Sequence, residues 1–421
     1  MRLRHSSSVL LTSLTIALLA LAHLSCRGSS SKTVQTSVEL PSEEKPSESR
    51  VDSSTEGSLA ELDVILARSL ELGLVAGVLH AESMKTGDRW ISAAGVRDLQ
   101  SKELVQTDDR FRLASITKLF TAAAVLKLRD NRELQLSDSI SSYISGRVLE
   151  QISGFDEVTI AQLLSHSSGL ADFSTGKEFW SEVFSGRGLN RNLTPLESLE
   201  FANGKAPLSP PVDPGEGSFY SNTNYFLLGL LIEKVTGQSY SEAVESLVAQ
   251  PLGLDSIGME NDSAIIVSSF TIPDSGGSIE AGMKARGVDQ LREDGLVDLT
   301  RIYERYNAWA FAAGGLSSNA QDLAKFAVSI KGDFLSPESR AVFRSIFSSE
   351  QDGTTYFGGS GGADGISTIL LEIDDRWRIV VLTNTTGIPD LSSGRIFWEA
   401  VEALNSHAGF TLPSGEALSD N

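Results

Sequence analysis

The chain has 421 residues, one cysteine and a formal net charge of −20, from 35 basic against 55 acidic side chains. The acidic excess argues against nucleic acid or anionic lipid as a partner, because both carry the same sign of charge. One cysteine excludes an intrachain disulfide, and no Cys/His cluster has the spacing of zinc ligands. We therefore expect neither a metal nor another cofactor.

The first 26 residues have the pattern of an export leader. Arg2 and Arg4 give a positive region, residues 9–22 an apolar core, and Cys26 follows a small residue. The apolar stretch is too short to favour a membrane-spanning helix. A lone cysteine at the end of a leader resembles the lipidated cysteine of bacterial lipoproteins, although His23 stands where that signal prefers leucine. A conventional leader that is cleaved nearby is the alternative.

Residues 27–57 are rich in Ser, Glu, Lys, Thr and Pro and contain no aromatic residue. Such a segment buries too little apolar surface to fold, so we predict a disordered tether. The following residues, 58–408, are enough for one large domain or two interlocked ones, and 409–421 form a flexible tail. The predicted location is the bacterial cell envelope, periplasmic or surface-facing, with the domain attached to a membrane only through the lipid.

The domain begins with an amphipathic helix over 58–72. Two β-rich runs follow, over 74–80 and 90–94, around a turn that contains Lys85-Thr86-Gly87.

The segment from Arg112 to Lys118 leads into a helical pattern and carries the first candidate for catalysis. Ser115 precedes Lys118 by three residues, so both side chains lie on one face of a helix and the amine can reach the hydroxyl. A serine hydroxyl becomes a good nucleophile when a nearby base takes its proton, and a lysine with a lowered pKa can be that base. The alternative is that Ser115 only caps the helix.

A second motif, Tyr220-Ser221-Asn222, follows in the order known for penicillin-binding proteins and β-lactamases. Three further segments support the likeness: Leu163–Leu170, the helix that starts at Leu227, and Ala313–Ser317. Over about residues 59–404 the chain resembles the serine β-lactamase-like hydrolases, which include class C β-lactamases, D-Ala-D-Ala carboxypeptidases and related esterases.

The third motif departs from that family, which carries a Lys-Thr-Gly or His-x-Gly strand beside the nucleophile. In the matching run, Phe357 to Gly365, a glycine occupies the position of the cation, Gly359. Losing a charge-assisted contact costs about 1.5–3 kcal/mol, so we expect weaker recognition of penicillins and D-Ala-D-Ala termini. The same run is also typical of a flexible hairpin tip. The earlier Lys85-Thr86-Gly87 precedes the nucleophile and is interpreted as a turn.

The resemblance implies a role for each matching residue. Ser115 attacks an acyl carbon, while Lys118 and Tyr220 share the proton transfers and the lysine cation lowers the pKa of the tyrosine. Asn222 orients Lys118 and the substrate, and the strand that carries Ser360 and Gly362 also binds substrate. The amides of Ser115 and Gly362 form the oxyanion hole.

Two rival hydrolase mechanisms receive little support. Of five histidines, only His80 and His166 lie inside the domain and away from its ends. In the family that the chain resembles, the turn that contains His166 is structural. The sequence therefore offers few candidates for the histidine of a Ser-His-Asp triad. Residues 358–362 match Gly-x-Ser-x-Gly, the nucleophile elbow of α/β-hydrolases. That elbow needs a strand, a turn and a helix, whereas two β-rich runs follow here.

The pattern predicts an α+β fold with an antiparallel sheet flanked by helices and a mostly helical subdomain, as the resemblance also implies. The sheet part comprises 58–115 and 305–408, with strand signals at Ala308–Leu316 and 365–383 and a last helix over 393–404; the helical part is 116–304. Residues 261–306 form either a substrate-shaping loop or a plain insertion.

We expect a serine hydrolase that forms an acyl-enzyme on a small ester, amide or peptide: an esterase, amidase, D-amino-acid peptidase or weak β-lactamase. The alternative is a non-catalytic envelope protein that keeps the fold to bind peptidoglycan or a partner.

Overall fold

The computed structural model describes residues 60–99, 101–185, 193–259, 269–271, 296–299, 303, 306–388 and 391–408. The predicted leader, tether and tail lie outside these residues, as does most of 261–306. Within the described ranges, no helix combines the length and the apolar character that a membrane span requires.

Eleven strands are described: β1 (Ala76–Ser83), β2 (Arg89–Gly95), β3 (Phe111–Arg112), β4 (Ser269–Thr271), β5 (Leu296–Asp298), β6 (Ser317–Ser318), β7 (Ser348–Gln351), β8 (Thr354–Ala363), β9 (Ile366–Ile373), β10 (Trp377–Thr383) and β11 (Thr385–Thr386). Six of them form one sheet in the order β2-β1-β10-β9-β8-β7. All neighbours in this sheet are antiparallel, as predicted. The order places the first and the last long strands, β1 and β10, side by side, with β2 as the edge strand next to β1.

The α-helices of the described residues are α1 (Ala60–Glu71), α2 (Thr117–Asp130), α3 (Ile160–Leu164), α4 (Lys177–Ser185), α5 (Pro195–Leu199), α6 (Asn222–Thr236), α7 (Tyr240–Val244), α8 (Gln250–Leu252), α9 (Tyr306–Gly314), α10 (Ala320–Lys331), α11 (Pro337–Phe347) and α12 (Ser393–Ala408). A π-helical turn, Glu245–Ala249, joins α7 to α8. The first and last helices, α1 and α12, pack against each other and against the sheet.

The sheet separates two hydrophobic cores because successive side chains of a strand point to opposite faces. Val78 of β1 faces the large core, which contains Phe120 and most of the helical part. Leu79, one residue later, faces the smaller core beneath α1 and α12, with Leu66 and Phe397. Burial on both faces fits the apolar run that opens β1, Ala76 to Leu79.

The strand predicted at Ala308–Leu316 is wrong: α9 covers Tyr306–Gly314, and only Ser317–Ser318 form a strand. A short apolar run does not distinguish a buried strand from a buried helix by periodicity. The segment becomes helical where it packs on α6. There a Cβ placed on Gly229 would lie 2.5 Å from Ala312 Cβ.

Candidate active site

Ser115 lies in a 3-10 turn, Ala114–Ile116, that leads directly into α2. Ala114 has φ +45°, a conformation that costs energy for a residue with a side chain and that clusters at functional sites. The turn is held from outside: Leu113 N donates to Leu316 O at 2.9 Å, and Thr368 Oγ1 donates to Leu113 O at 3.0 Å. The capping positions are Leu113 and Ile116, so Ser115 is not the helix cap.

Lys118 is 3% exposed and has three polar neighbours. Its Nζ lies 3.0 Å from Ser115 Oγ, 2.9 Å from Asn222 Oδ1 and 2.7 Å from Ala313 O. The two carbonyl oxygens can only accept hydrogen bonds, so a neutral amine gives its two N–H groups to them. Its lone pair then points at the Ser115 hydroxyl, which is the geometry of a general base.

Burial lowers the pKa of Lys118 from 10.5 to about 7, and the nearby negative charge of Asp172 opposes this shift. Removing a cation from water disfavours its charged form, which is the cause of the decrease. The side chain therefore has a substantial neutral fraction at neutral pH.

Tyr220 is brought to the nucleophile from a segment about a hundred residues away. Its hydroxyl lies 2.8 Å from Ser115 Oγ, and Lys118 Nζ lies 4.9 Å from the centre of its ring. The predicted lowering of its pKa by the lysine cation is wrong. Burial raises the pKa of Tyr220, and the hydrogen bond with Ser115 only partly opposes this, because a buried phenolate loses its hydration. Tyr220 thus stays protonated and is suited to passing a proton on.

Asn222 is the first residue of α6, and its carboxamide is fixed from both ends. Oδ1 accepts from Lys118, while Nδ2 donates to Ser174 Oγ at 2.9 Å and to Asp172 Oδ2 at 3.2 Å. Neither Asp172 nor Ser174 was predicted from the sequence. The available signal was their position directly after the Leu163–Leu170 motif.

His166 supports Tyr220 and is not a general base. The two rings are stacked with centres 4.5 Å apart, and Nδ1 accepts from Ser221 N at 3.2 Å. Burial and the charge of Lys118 lower the pKa of His166 to about 3, so the imidazole is neutral at physiological pH. The prediction that His166 has a structural role agrees with this placement, but its contact with Tyr220 was not foreseen.

Strand β8 passes beside the nucleophile and carries Ser360 and Gly362. A Cβ on Gly361 would lie 2.1 Å from Leu113 O and 3.0 Å from Ser115 N, so only glycine permits this approach. Ser115 and Lys118 sit at the start of a helix, where backbone N–H groups have no intrahelical acceptor. Ser360 lies within a continuous strand, which excludes the strand–turn–helix elbow, and the hairpin turn begins only after Ala363.

A family model described as Beta-lactamase matches residues 72–401. The chain belongs to the Beta-lactamase family. Family and fold class were both predicted from the sequence motifs, and both are confirmed. Membership of this family is what the predicted serine hydrolase of the β-lactamase and penicillin-binding-protein type requires.

Protein flp of Staphylococcus aureus (strain COL) is 29% identical over 199 residues, which are 47% of this chain and 38% of that protein. The chain thus matches well under half of this curated relative's length.

Two solved structures of amidases share the fold. A D-stereospecific amidohydrolase from Streptomyces sp. is 24% identical and has a TM-score of 0.61, with 80% of this chain and 97% of that chain covered. A D-amino acid amidase from Ochrobactrum anthropi SV3, complexed with L-phenylalanine, is 20% identical and has a TM-score of 0.68, with 83% and 99% covered.

The glycine at position 359, where the resemblance implies a cation, is not imposed by the backbone. A Cβ at this position would meet only Leu119 Cδ1, at 3.4 Å, which is an ordinary van der Waals contact. Gly359 therefore differs from its neighbour Gly361, where a side chain has no room. Position 359 could therefore hold a side chain beside the nucleophile without a change of the backbone.

Proposed function

We propose that this protein is an exported serine hydrolase. It forms an acyl-enzyme on Ser115 with a small ester, amide or peptide whose leaving group carries no carboxylate. The observation that carries the proposal is the arrangement of oxygen atoms around Lys118 Nζ, which leaves the lone pair of the neutral amine directed at Ser115. Two carbonyl oxygens take its N–H groups, and Ser115 Oγ lies 3.0 Å away on the remaining side.

In the proposed mechanism, Ser115 Oγ attacks the acyl carbon while its proton passes to Lys118. The developing oxyanion accepts hydrogen bonds from the amides of Ser115 and Gly362. When the tetrahedral intermediate collapses, Tyr220 gives its proton to the leaving group. The proton that Lys118 took from Ser115 then passes to Tyr220, so that both side chains return to their starting forms. Water then repeats the attack on the acyl-enzyme with the same base, which releases the acid and restores Ser115.

The proposed substrate class follows from β8. Without a cation at position 359, a carboxylate on the leaving group loses a partner worth about 1.5–3 kcal/mol. Neutral leaving groups, such as ammonia from a primary amide or an alcohol from an ester, lose nothing. The two structural neighbours, a D-stereospecific amidohydrolase and a D-amino acid amidase, are compatible with this class.

The proposed location is the cell envelope, with the domain held on a lipid at Cys26. The support is the leader pattern before Cys26 and the tether-like composition of residues 27–57.

The test treats the full-length protein with a fluorophosphonate and locates the adduct by mass spectrometry. We expect an adduct on Ser115 in the wild type and in Ser360→Ala, and none in Ser115→Ala. The Ser360 variant is the matched control, since Ser360 is the serine of the Gly-x-Ser-x-Gly sequence at residues 358–362. An adduct on Ser360 would reverse the assignment. No adduct in a folded sample would instead favour a non-catalytic binding protein.

A further inference from the structure

We propose that Asp172 is a positioning residue for the catalytic base: through Asn222 it directs the lone pair of Lys118 at Ser115. The inference rests on the proposed function for its effect on rate, but its effect on Lys118 is measurable without any reaction.

Asp172 is 5% exposed, and both of its carboxylate oxygens are engaged. Oδ1 accepts from Ser174 N at 2.8 Å and from Ser174 Oγ at 2.7 Å, while Oδ2 accepts from Asn222 Nδ2 at 3.2 Å. Ser174 Oγ also accepts from Asn222 Nδ2, at 2.9 Å. The carboxylate and the hydroxyl together form an acceptor site for the amide nitrogen of Asn222.

This acceptor site decides which way the Asn222 carboxamide points. A flipped carboxamide would turn its oxygen toward the Asp172 carboxylate, which has no hydrogen to donate, and would present N–H donors to Lys118 in place of a carbonyl acceptor. Only the observed orientation gives Lys118 a second carbonyl acceptor besides Ala313 O. Asp172 thus fixes the direction of the amine although it does not touch it.

The negative charge of Asp172 also affects the protonation of Lys118. Among the residues that the structure describes, it is the charged group that opposes the effect of burial on Lys118, and it raises the pKa of that amine. The titratable groups that face Lys118 or Asp172 are His166, Tyr220 and Tyr225 around the amine and Lys205, whose Nζ donates to Asp172 O at 3.3 Å.

A merely structural role for Asp172 makes a different prediction. Its Oδ1 caps the short turn Phe173–Thr175 by accepting from Ser174 N. Asparagine caps such turns about as well as aspartate, so Asp172→Asn keeps the cap. The variant removes the charge and places an N–H donor opposite Asn222 Nδ2, which is also a donor.

The experiment follows two readouts in the full-length protein. Lysine labelled with ¹³C at Cε reports the titration of Lys118, whose resonance is identified by its loss in Lys118→Met. The rate of Ser115 modification by a fluorophosphonate is measured over the same pH range. The variants are Asp172→Asn, Ser174→Ala, and Asp333→Asn as a matched loss of charge at an exposed turn after α10.

In Asp172→Asn we expect the Lys118 titration and the acid limb of the rate profile to move together to lower pH. The limiting rate falls about tenfold or more because the base is misdirected. Ser174→Ala lowers the rate and leaves the titration in place, and Asp333→Asn matches the wild type.

An unchanged Lys118 titration in Asp172→Asn overturns the inference, whether or not the rate falls, because a structural role alone would lower the rate without moving the profile. If the wild type shows no adduct on Ser115 but Asp172→Asn moves the Lys118 titration, the proposed function fails and the positioning role stands.

Discussion

Among single residues, Lys118 has the clearest consequence for pH dependence. Its pKa is lowered to about 7, and only its neutral form can take the Ser115 proton. The rate of Ser115 modification should therefore be low below this pH and rise as pH increases through about 7. The measurement is the second-order rate constant for fluorophosphonate labelling across this range.

Tyr220→Phe is the control for this profile. The pKa of Tyr220 is raised by burial, so the tyrosine does not titrate in the same range. The variant should react more slowly with the midpoint unchanged. A wild-type profile that is flat through pH 7 would contradict the role of Lys118 as the base.

Replacing Gly359 by lysine should increase the reactivity of Ser115 toward penicillins. Gly359→Lys supplies a cation beside the nucleophile, and the backbone leaves room for the new Cβ. Because a charge-assisted contact is worth about 1.5–3 kcal/mol, acylation of Ser115 by a penicillin should rise about 10- to 100-fold. The comparison is made with Gly359→Ala, which adds the Cβ without the charge. Equal acylation of both variants would show that the cation is not what limits recognition of the carboxylate.

At the scale of elements, the contact between α6 and α9 holds the carbonyl of Ala313 against Lys118. Gly229→Ala normally stabilises a helix by up to about 1 kcal/mol, but here the new methyl group would meet Ala312 Cβ at 2.5 Å. We expect a loss of about 1–3 kcal/mol in the free energy of unfolding, together with slower labelling of Ser115. The measurement is urea denaturation.

The matched control is Gly394→Ala in α12, where the nearest atom to the new Cβ would be Ser392 Oγ at 3.5 Å. This variant should be as stable as the wild type or more stable. Equal stability of the two variants would mean that α6 and α9 can move apart to accommodate the added methyl group at little cost in free energy.

The sequence predicted those parts of the site that are local or belong to a recognised motif. Ser115 and Lys118 follow from helical spacing, and Tyr220 and Asn222 from the order of the motifs. Asp172 and Ser174 depend on how a loop folds back onto the start of α6, which no spacing expresses. The strand predicted at Ala308–Leu316 failed for a related reason, since its helix is stabilised by packing on a distant glycine.

At the scale of the molecule, the central sheet carries buried charge on the face of its large core. Arg378 is 3% exposed and pairs with Glu82 and Glu372, and Lys331 of α10 also contacts Glu372 at 2.8 Å. Buried ion pairs are costly to break because the remaining charge is left without a partner. This network joins α10 to strands β1, β9 and β10, so the helical layer and the sheet should unfold together.

His80 on β1 lies next to that network and makes stability depend on pH. It pairs with Val380 and Ile91 on the neighbouring strands, and neither ring nitrogen has a hydrogen-bond partner among the described residues. Burial lowers its pKa from 6.5 to about 4; Arg89 and Arg378 add to this effect, and Glu82 opposes it. Between about pH 4 and pH 6.5, His80 is therefore protonated in the unfolded chain and neutral in the folded chain.

Stability should accordingly be full above about pH 6.5 and decrease as pH falls toward 4, with His80 responsible for about 3 kcal/mol of the loss. His80→Leu removes this share and also removes two unsatisfied polar atoms, so the variant should match or exceed the wild type at neutral pH. Urea denaturation at a series of pH values would show the two stability curves diverging below pH 6.5, with the wild type losing more. His166 remains in both proteins and affects both curves equally, because its pKa is also lowered by burial. Parallel curves would mean that His80 is protonated in the folded protein or gains a partner in acid.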